Sequence, residues 1–190
     1  MQKLQENNEQ RLVELLQSGD KTALRDFYTL YAGQLTAVCA RYIDDDDDLK
    51  DVFQDTLLGI ISKISTFTYK GPKSLKAWAT KVAVNQSLMF LRRRNKFTIL
   101  GLDRDIADEQ EDEEPDIQDL PPEELHRLIR DLPVGYRTVL NLFVFEGWTH
   151  KQIADYLGIK KATSASQFSK AKNLLSKKIK DYHKLKHLPQ

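Results

Sequence analysis

The sequence predicts an all-α protein made of two small helical domains that are joined by an acidic, flexible linker. Apolar residues recur every three or four positions through most of the chain, and no strand-like alternation runs longer than a few residues. Between the helical stretches, residues 98–120 contain ten acids, one base and few large apolar side chains. We therefore expect a first domain at 1–97, a linker at 98–120 and a second domain at 121–190.

Composition places the chain among soluble globular proteins. Apolar residues make up 41% of the sequence and charged residues 30%. No apolar run approaches the length of about 18 residues that indicates a membrane span, and the polar start has no signal-peptide core. The single cysteine, Cys39, lies in an apolar stretch and is predicted to be a small core residue. These features predict a cytoplasmic protein without membrane insertion.

Charge is segregated along the chain. The linker carries a net charge of −9, although the formal charge of the whole chain is only +1. Residues 160–190 contain nine lysines and one acid, Asp181. The sequence therefore predicts a basic surface for a polyanion and a separate acidic segment.

The first domain begins with two helices that are separated at Ser18-Gly19-Asp20. Five aspartates at 44–48 then lead into LKDVFQDTLLGIISKI, and Asp46 or Asp47 is predicted to cap this helix. One wide face of the helix is apolar and is expected to pack inward. Its members are Leu49, Val52, Phe53, Leu57, Ile60, Ile61 and Ile64.

The opposite face of the same helix combines acids with a leucine. Asp51, Gln54, Asp55 and Leu58 follow one another at helical spacing. Acids beside an exposed apolar residue indicate a docking stripe for a basic partner. The alternative is a solubilising face that happens to contain a leucine.

A loop and a further helix complete the first domain. Aromatic and basic residues occur together there, which is the combination that a single-stranded nucleic acid needs for base stacking and phosphate neutralisation. Trp78 is alternatively a core residue, and Asn85 is either buried with its hydrogen bonds satisfied or exposed to a ligand. The predicted site consists of Thr66, Phe67, Tyr69, Lys70 and Lys73 in the loop, with Trp78 and Asn85 on the helix.

The second domain contains a helix-turn-helix pattern, GWTHKQIADYLGIKKATSASQFSKAK. Thr149 and Gln152 fit a capping box, and Gly158 permits the turn. Small polar groups at base edges and cations at phosphates are typical of a recognition helix in the major groove. The alternative is an ordinary pair of helices with a solvated lysine face. The residues predicted to face outward are Ala165, Ser166, Gln167, Ser169 and Lys170, with Gln167 placed to read adenine and Lys170 and Lys172 to contact phosphate or guanine.

Three segments resemble parts of bacterial sigma factors. DVFQDTLLGIISKI resembles the polymerase-docking helix, and TYKGPKSLKAWATKVAVNQS is similar to the promoter-melting segment. LPVGYRTVLNLFVFEGWTHKQIADYLGIKKATSASQFSKAK resembles the domain that reads the upstream promoter element. The length and layout are similar to those of the small extracytoplasmic-function (ECF) group. The resemblance covers about residues 10–97 and 120–180.

The resemblance implies roles for the matching residues. Asp51, Gln54 and Asp55, with Leu58, would bind the clamp helices of the largest subunit of core RNA polymerase. The loop around Tyr69, Lys70 and Gly71 would capture a flipped base of the −10 element of promoter DNA, with Asn85 beside it. The acidic linker would follow the RNA-exit path, and an anti-sigma factor is a candidate partner, because members of the group often have one. The −35 element would be contacted by Lys161, Thr163, Ala165, Ser166, Gln167, Ser169, Lys170 and Lys172.

Two other classes of function compete with this interpretation. A free-standing helix-turn-helix regulator acting as a dimer would use only residues 120–187 and would leave the docking stripe unexplained. An enzyme would need a site that the sequence does not provide. Asp44–Asp48 lacks the glycine of a calcium loop because Leu49 stands at the sixth position, the four histidines lack ligand spacing, and no P-loop occurs. We expect no enzymatic activity, no metal and no cofactor.

Overall fold

A computed structural model of the chain describes residues 2–94 and 120–186, with side chains from residue 8 onward. All regular structure in these ranges is helical. The chain forms two compact units, residues 1–90 and 91–190. The predicted linker lies outside the described ranges except for Leu120, so the linker and the domain limits at 97/98 and 120/121 stay predictions.

Four α-helices and a short 3-10 turn form the first unit. They are α1 Gln2–Gln17, α2 Lys21–Ala40, α3 Asp46–Lys63, the 3-10 turn Ile64–Thr66, and α4 Ser74–Arg93, which ends just beyond the boundary of the unit. The predicted break between α1 and α2 is confirmed. Gly19 has a φ of +80° there, and the Asp20 carboxylate caps α2 by accepting a hydrogen bond from the Ala23 N–H at 2.8 Å.

The start of α3 lies one residue earlier than expected. Asp45, rather than Asp46 or Asp47, is the N-cap, and its carboxylate accepts hydrogen bonds from the N–H groups of Asp47 at 3.0 Å and Asp48 at 2.9 Å. All five aspartates of the run are acceptable near a helix N-terminus, so residue type alone did not identify the cap.

The core of the first unit is built from the inner faces of α1, α2, α3 and α4. Phe27, Leu35 and Tyr42 are almost completely buried, together with Leu75 and Leu88 of α4. Cys39 is fully buried, which confirms its prediction as a core residue.

The second unit contains α5 Pro122–Arg130, α6 Val134–Val144, α7 His150–Leu157 and α8 Lys161–Lys186. Its main apolar cluster consists of buried Ile129, Leu132, Leu140 and Ala171, against which Leu125, Tyr136, Phe168, Leu174 and Leu175 pack. None of the helices in the described parts of either unit combines the length and apolar character that a membrane crossing requires.

Polar side chains are also buried in the second unit. Arg137, Thr138 and Asn141, all on α6, have no solvent exposure. The Arg137 guanidinium donates a hydrogen bond to the carbonyl of Arg130, the last residue of α5. A cation at this position satisfies a helix carbonyl and complements the negative end of the helix dipole.

Candidate functional site

One side of α3 exposes the residues of the predicted docking stripe. Asp51, Gln54 and Asp55 are exposed, and 63% of Leu58 is accessible to solvent. This face is open because the opposite side of the helix is buried at Val52, Thr56, Gly59 and Ile60. We call Asp51, Gln54, Asp55 and Leu58 the acidic stripe. What binds it stays a prediction from the sequence.

The apolar face of α3 is narrower than expected. Ile61 was predicted to pack inward, but it is 46% exposed and continues the line of the acidic stripe by one further turn. With Leu24 of α2 and Leu57 of α3 it lines a cavity of about 280 Å³ beside the turn between α1 and α2. The prediction was wrong because an isoleucine at the edge of a helical face is buried only if a neighbouring element reaches it.

The loop before α4 brings two of the predicted aromatic residues together. The rings of Phe67 and Trp78 lie 4.9 Å apart at 40°, and both side chains are half-buried. Trp78 therefore packs against the loop and is not a fully buried core residue. A ring that contacts another ring presents only its remaining surface to a nucleic acid base.

The remaining loop residues form an exposed, basic turn. Lys70 and Lys73 are exposed, and Thr66 is exposed, with its hydroxyl donating a hydrogen bond to the carbonyl of Lys63 at 2.9 Å. Gly71 has a φ of +110° and Lys73 a φ of +68°. A positive φ is ordinary for glycine but uncommon for lysine, so the turn is held in a specific conformation. Tyr69 of the loop and Asn85 of α4 are half-buried.

Two residues of α1 that the sequence did not predict bind this loop. The Glu9 carboxylate accepts hydrogen bonds from the N–H groups of Lys73 at 2.6 Å and Leu75 at 2.8 Å. The Gln17 amide donates to the carbonyls of Ile64 at 3.1 Å and Phe67 at 2.8 Å. These contacts join residues that are about 50 positions or more apart in sequence, so no local sequence pattern predicts them.

The helix-turn-helix is present in the second unit with the predicted local signals. Thr149 and Gln152 form a reciprocal capping box at the start of α7. Gly158 adopts a left-handed φ of +72° at the end of the helix. Ile153 and Ala154 are buried. These features confirm the predicted turn geometry.

An aromatic contact joins α7 to α8. The ring of His150, the first residue of α7, stacks on Phe143 at 4.6 Å and 19°, and Phe168 of α8 lies 4.5 Å from Phe143. The Nδ1 atom of His150 is 3.0 Å from the hydroxyl oxygen of Ser164, which is fully buried. His150 therefore has a structural role between the two helices, and no local sequence pattern predicted it.

The exposed face of α8 includes most of the residues predicted for upstream DNA. Lys161, Ala165, Ser166 and Lys172 are exposed, and the half-buried members are Thr163, Ser169 and Lys170. Spacings of three and four residues place these positions around one side of the helix. Cations and small side chains are accordingly presented together, which suits contact with phosphates and base edges.

Gln167 is a correction to the sequence prediction. It was expected to face outward and read adenine, but it is 7% exposed and lies on the inner face with Ser164 and Ala171. Helical spacing of three and four residues puts these positions toward α6 and α7. The error came from treating an amide as a surface residue, whereas this unit buries several polar side chains.

Comparison with known proteins links the two units to one family. The family model described as Sigma-70 region 2 matches residues 27–97, and the model described as Sigma-70, region 4 matches residues 122–175. Together the two segments cover more than half of the chain. Both match in the chain order that the sequence motifs indicated.

Full-length relatives show the same correspondence. The ECF RNA polymerase sigma-E factor of Haemophilus influenzae is 26% identical over 182 residues, which cover 90% of this chain and 95% of the relative. The RNA polymerase sigma-H factor of Pseudomonas aeruginosa is 24% identical over 187 residues, which cover 93% and 96% of the two chains.

Among solved structures, the chain is similar to the sigma factor RpoE of Bartonella quintana, which was solved in complex with the anti-sigma factor NepR. The sequence identity is 21% and the TM-score is 0.47, and the match covers 80% of this chain and 94% of RpoE. The matched segments and the full-length relatives lead to one conclusion. The chain belongs to the sigma-70 family, in its extracytoplasmic-function group.

Proposed function

We propose that this chain is a transcription initiation factor that binds core RNA polymerase in the cytoplasm, directs it to specific promoters and assists promoter opening. The observation that carries the proposal is the presence of the region 2 and region 4 segments in one chain, in that order. Sigma factors act by binding and not by catalysis, so no enzymatic step is assigned to any residue.

The acidic stripe is the proposed docking surface for the polymerase. Its acids are exposed, and so is Leu58, an apolar side chain that a purely solubilising face would not need. Carboxylates around an accessible leucine fit a basic helical partner, for which the clamp helices of the largest subunit are the proposed counterpart. An anti-sigma factor is the expected class of regulatory partner for a chain of this group.

The two remaining surfaces are proposed to bind promoter DNA. The loop from Thr66 to Lys73, with Trp78 and Asn85, would hold the separated −10 strand, since its lysines are exposed and its aromatic rings are partly accessible. The exposed side of α8 would enter the major groove of the −35 element. There we assign contacts to Lys161, Thr163, Ala165, Ser166, Ser169, Lys170 and Lys172, and we leave out buried Gln167.

The decisive test reverses the charge of the acidic stripe. A variant with Asp51→Lys and Asp55→Lys is expected to bind core polymerase about a hundredfold more weakly or worse, because two charge pairs would change from attraction to repulsion. The matched control carries Glu14→Lys and Asp26→Lys. These acids are also exposed, on α1 and α2, and the change in net charge is the same.

Binding to core polymerase is measured by competition with a labelled sigma factor, and helical content by circular dichroism. The proposal requires that the control keeps normal affinity while the stripe variant loses it with unchanged helical content. Normal binding by the stripe variant would show that the docking surface is misassigned. If the unmodified chain bound no core polymerase but bound duplex DNA tightly as a dimer, the alternative of a free-standing regulator would replace the proposal.

A further inference from the structure

Helix α1 contacts the loop before α4 at both of its ends. Gln17 binds the backbone where the loop begins, at the carbonyls of Ile64 and Phe67. Glu9 binds the backbone where the loop ends, at the N–H groups of Lys73 and Leu75. The two side chains are eight positions apart on α1, which corresponds to about 12 Å along the helix axis. One rigid element thus fixes the separation of the two ends of the loop.

The loop requires external support of this kind. It is largely exposed, and its backbone has a positive φ at both Gly71 and Lys73. Within the turn, the Lys70 N–H donates to the Ser74 hydroxyl at 3.2 Å, and the Ser74 N–H donates to the Gly71 carbonyl at 3.1 Å. A lysine keeps a left-handed conformation only when surrounding contacts determine it. The Glu9 carboxylate provides such a contact, because it accepts a hydrogen bond from the N–H group of Lys73.

Glu9 also determines how the loop can bind an anion. The free N–H groups at the start of a helix are a common site for phosphate. At the start of α4, the N–H groups of Lys73 and Leu75 are already bound to the Glu9 carboxylate. A nucleic acid phosphate would therefore have to be bound by the side chains of Lys70 and Lys73. Both side chains are exposed to solvent and can move to contact the phosphates of a strand.

The C-terminal half of α1 is packed into the first unit and can therefore act as a rigid support for the loop. Leu12, Val13 and Leu16 lie between Glu9 and Gln17 in sequence and are buried in the first unit. Burial, followed by the nearby charges of Glu9 and Tyr69, raises the pKa of Tyr31 of α2. The contact is thus part of a packed structure.

We infer that Glu9 and Gln17 are positioning residues for promoter opening, because they hold the loop in the conformation that captures the separated strand. The inference rests on the proposed function of that loop. Helix α1 lies before residue 27, where the match to the region 2 model begins, so the family match assigns it no role.

The test compares Glu9→Ala, Glu9→Gln and Gln17→Ala in holoenzyme reconstituted with core polymerase. The probe is a fluorescent single strand containing the −10 sequence of a promoter from which the unmodified holoenzyme initiates. Glu9→Ala is expected to weaken binding of this strand about tenfold, since two charge-assisted hydrogen bonds are lost. Glu9→Gln keeps one acceptor oxygen and is expected to lose less. Affinity for core polymerase and for −35 duplex is expected to stay within about twofold of normal.

The matched control is Glu14→Ala, on the same helix. Glu14 is exposed and accepts a hydrogen bond from Gln10 at 3.1 Å, so its removal changes the charge but not the support of the loop. Hydrogen exchange adds a readout that general destabilisation would not produce. The amides of Lys73 and Leu75 are expected to exchange faster in the Glu9 variants, while amides in the middle of α4 keep their protection.

Failure of the inference is distinguishable from failure of the proposed function. If Tyr69→Ala weakens binding of the strand but Glu9→Gln and Glu9→Ala do not, the loop binds DNA without help from α1 and the inference is wrong. If Tyr69→Ala and Lys70→Ala also leave binding unchanged, the loop is not the strand-binding site, and both the assignment and the inference fall. Equal weakening by Glu14→Ala would likewise overturn it, because the effect would then be one of charge alone.

Discussion

His150 offers a direct test of how the helix-turn-helix is held together. Its ring stacks on Phe143 at 4.6 Å, and its Nδ1 atom lies 3.0 Å from the hydroxyl of buried Ser164. The stacked pair contributes about 1 kcal/mol beyond the burial of its area. The hydrogen bond contributes about 1 kcal/mol, with a further cost of about 1 kcal/mol when a buried partner loses it. His150→Ala is therefore expected to lower the free energy of unfolding by about 2–4 kcal/mol.

Further substitutions separate the two contributions. His150→Phe keeps a ring against Phe143 but removes the polar atom, and His150→Asn keeps a polar atom near the position of Nδ1 but removes the ring. Each is expected to cost about half as much as His150→Ala. A double-mutant cycle with Ser164→Ala isolates the hydrogen bond and is expected to give a coupling energy of about 1 kcal/mol.

The assay uses the fact that the chain has two tryptophans, Trp78 in the first unit and Trp148 in the second. In a Trp78→Phe background, urea unfolding followed by tryptophan fluorescence reports the second unit alone. His126→Ala is the control, because His126 is exposed on α5. The reasoning would be refuted by a coupling energy near zero, or by an equal loss of stability in the control.

Two further predictions concern the first unit. Gly59→Ala is expected to raise the free energy of unfolding by about 0.5–1 kcal/mol, because alanine has a higher helix propensity than glycine. The added Cβ would lie 2.9 Å from Nε2 of Gln86, which is the end of a long side chain and can move away. A fall in the melting temperature would contradict this prediction. Burial raises the pKa of the Cys39 thiol, so the folded protein holds this proton more tightly than the unfolded chain does. The associated stability is complete below the unfolded pKa of about 8.5 and is lost as the pH rises further, and Cys39→Ala is expected to flatten urea-unfolding free energies measured between pH 7 and pH 10.

Features that depend on local sequence were predictable. The break at Ser18-Gly19-Asp20 and the capping box of Thr149 with Gln152 each use side chains that satisfy backbone groups a few residues away. Their geometry is decided within one turn of a helix, so the sequence contains all the information needed. The same holds for the left-handed turn at Gly158.

Features that depend on distant neighbours were not predictable. Gln167 is buried because α6 and α7 cover its side of α8, and Ile61 is exposed because no element covers its side of α3. The contacts of Glu9 join α1 to a loop more than 60 residues away. In each case the residue type allows either location, and only the packing of the helices decides between them.

Lys73 combines a left-handed backbone conformation with an exposed positive charge. Glycine would adopt this backbone conformation without the cost of about 1 kcal/mol that a side chain incurs there. Glycine would also remove an ammonium group from the exposed turn. The chain therefore gives up some folding stability at this position and keeps an exposed cation there. Selection for thermal stability alone would be expected to favour glycine at this position, which would strengthen the fold and remove one positive charge from the turn.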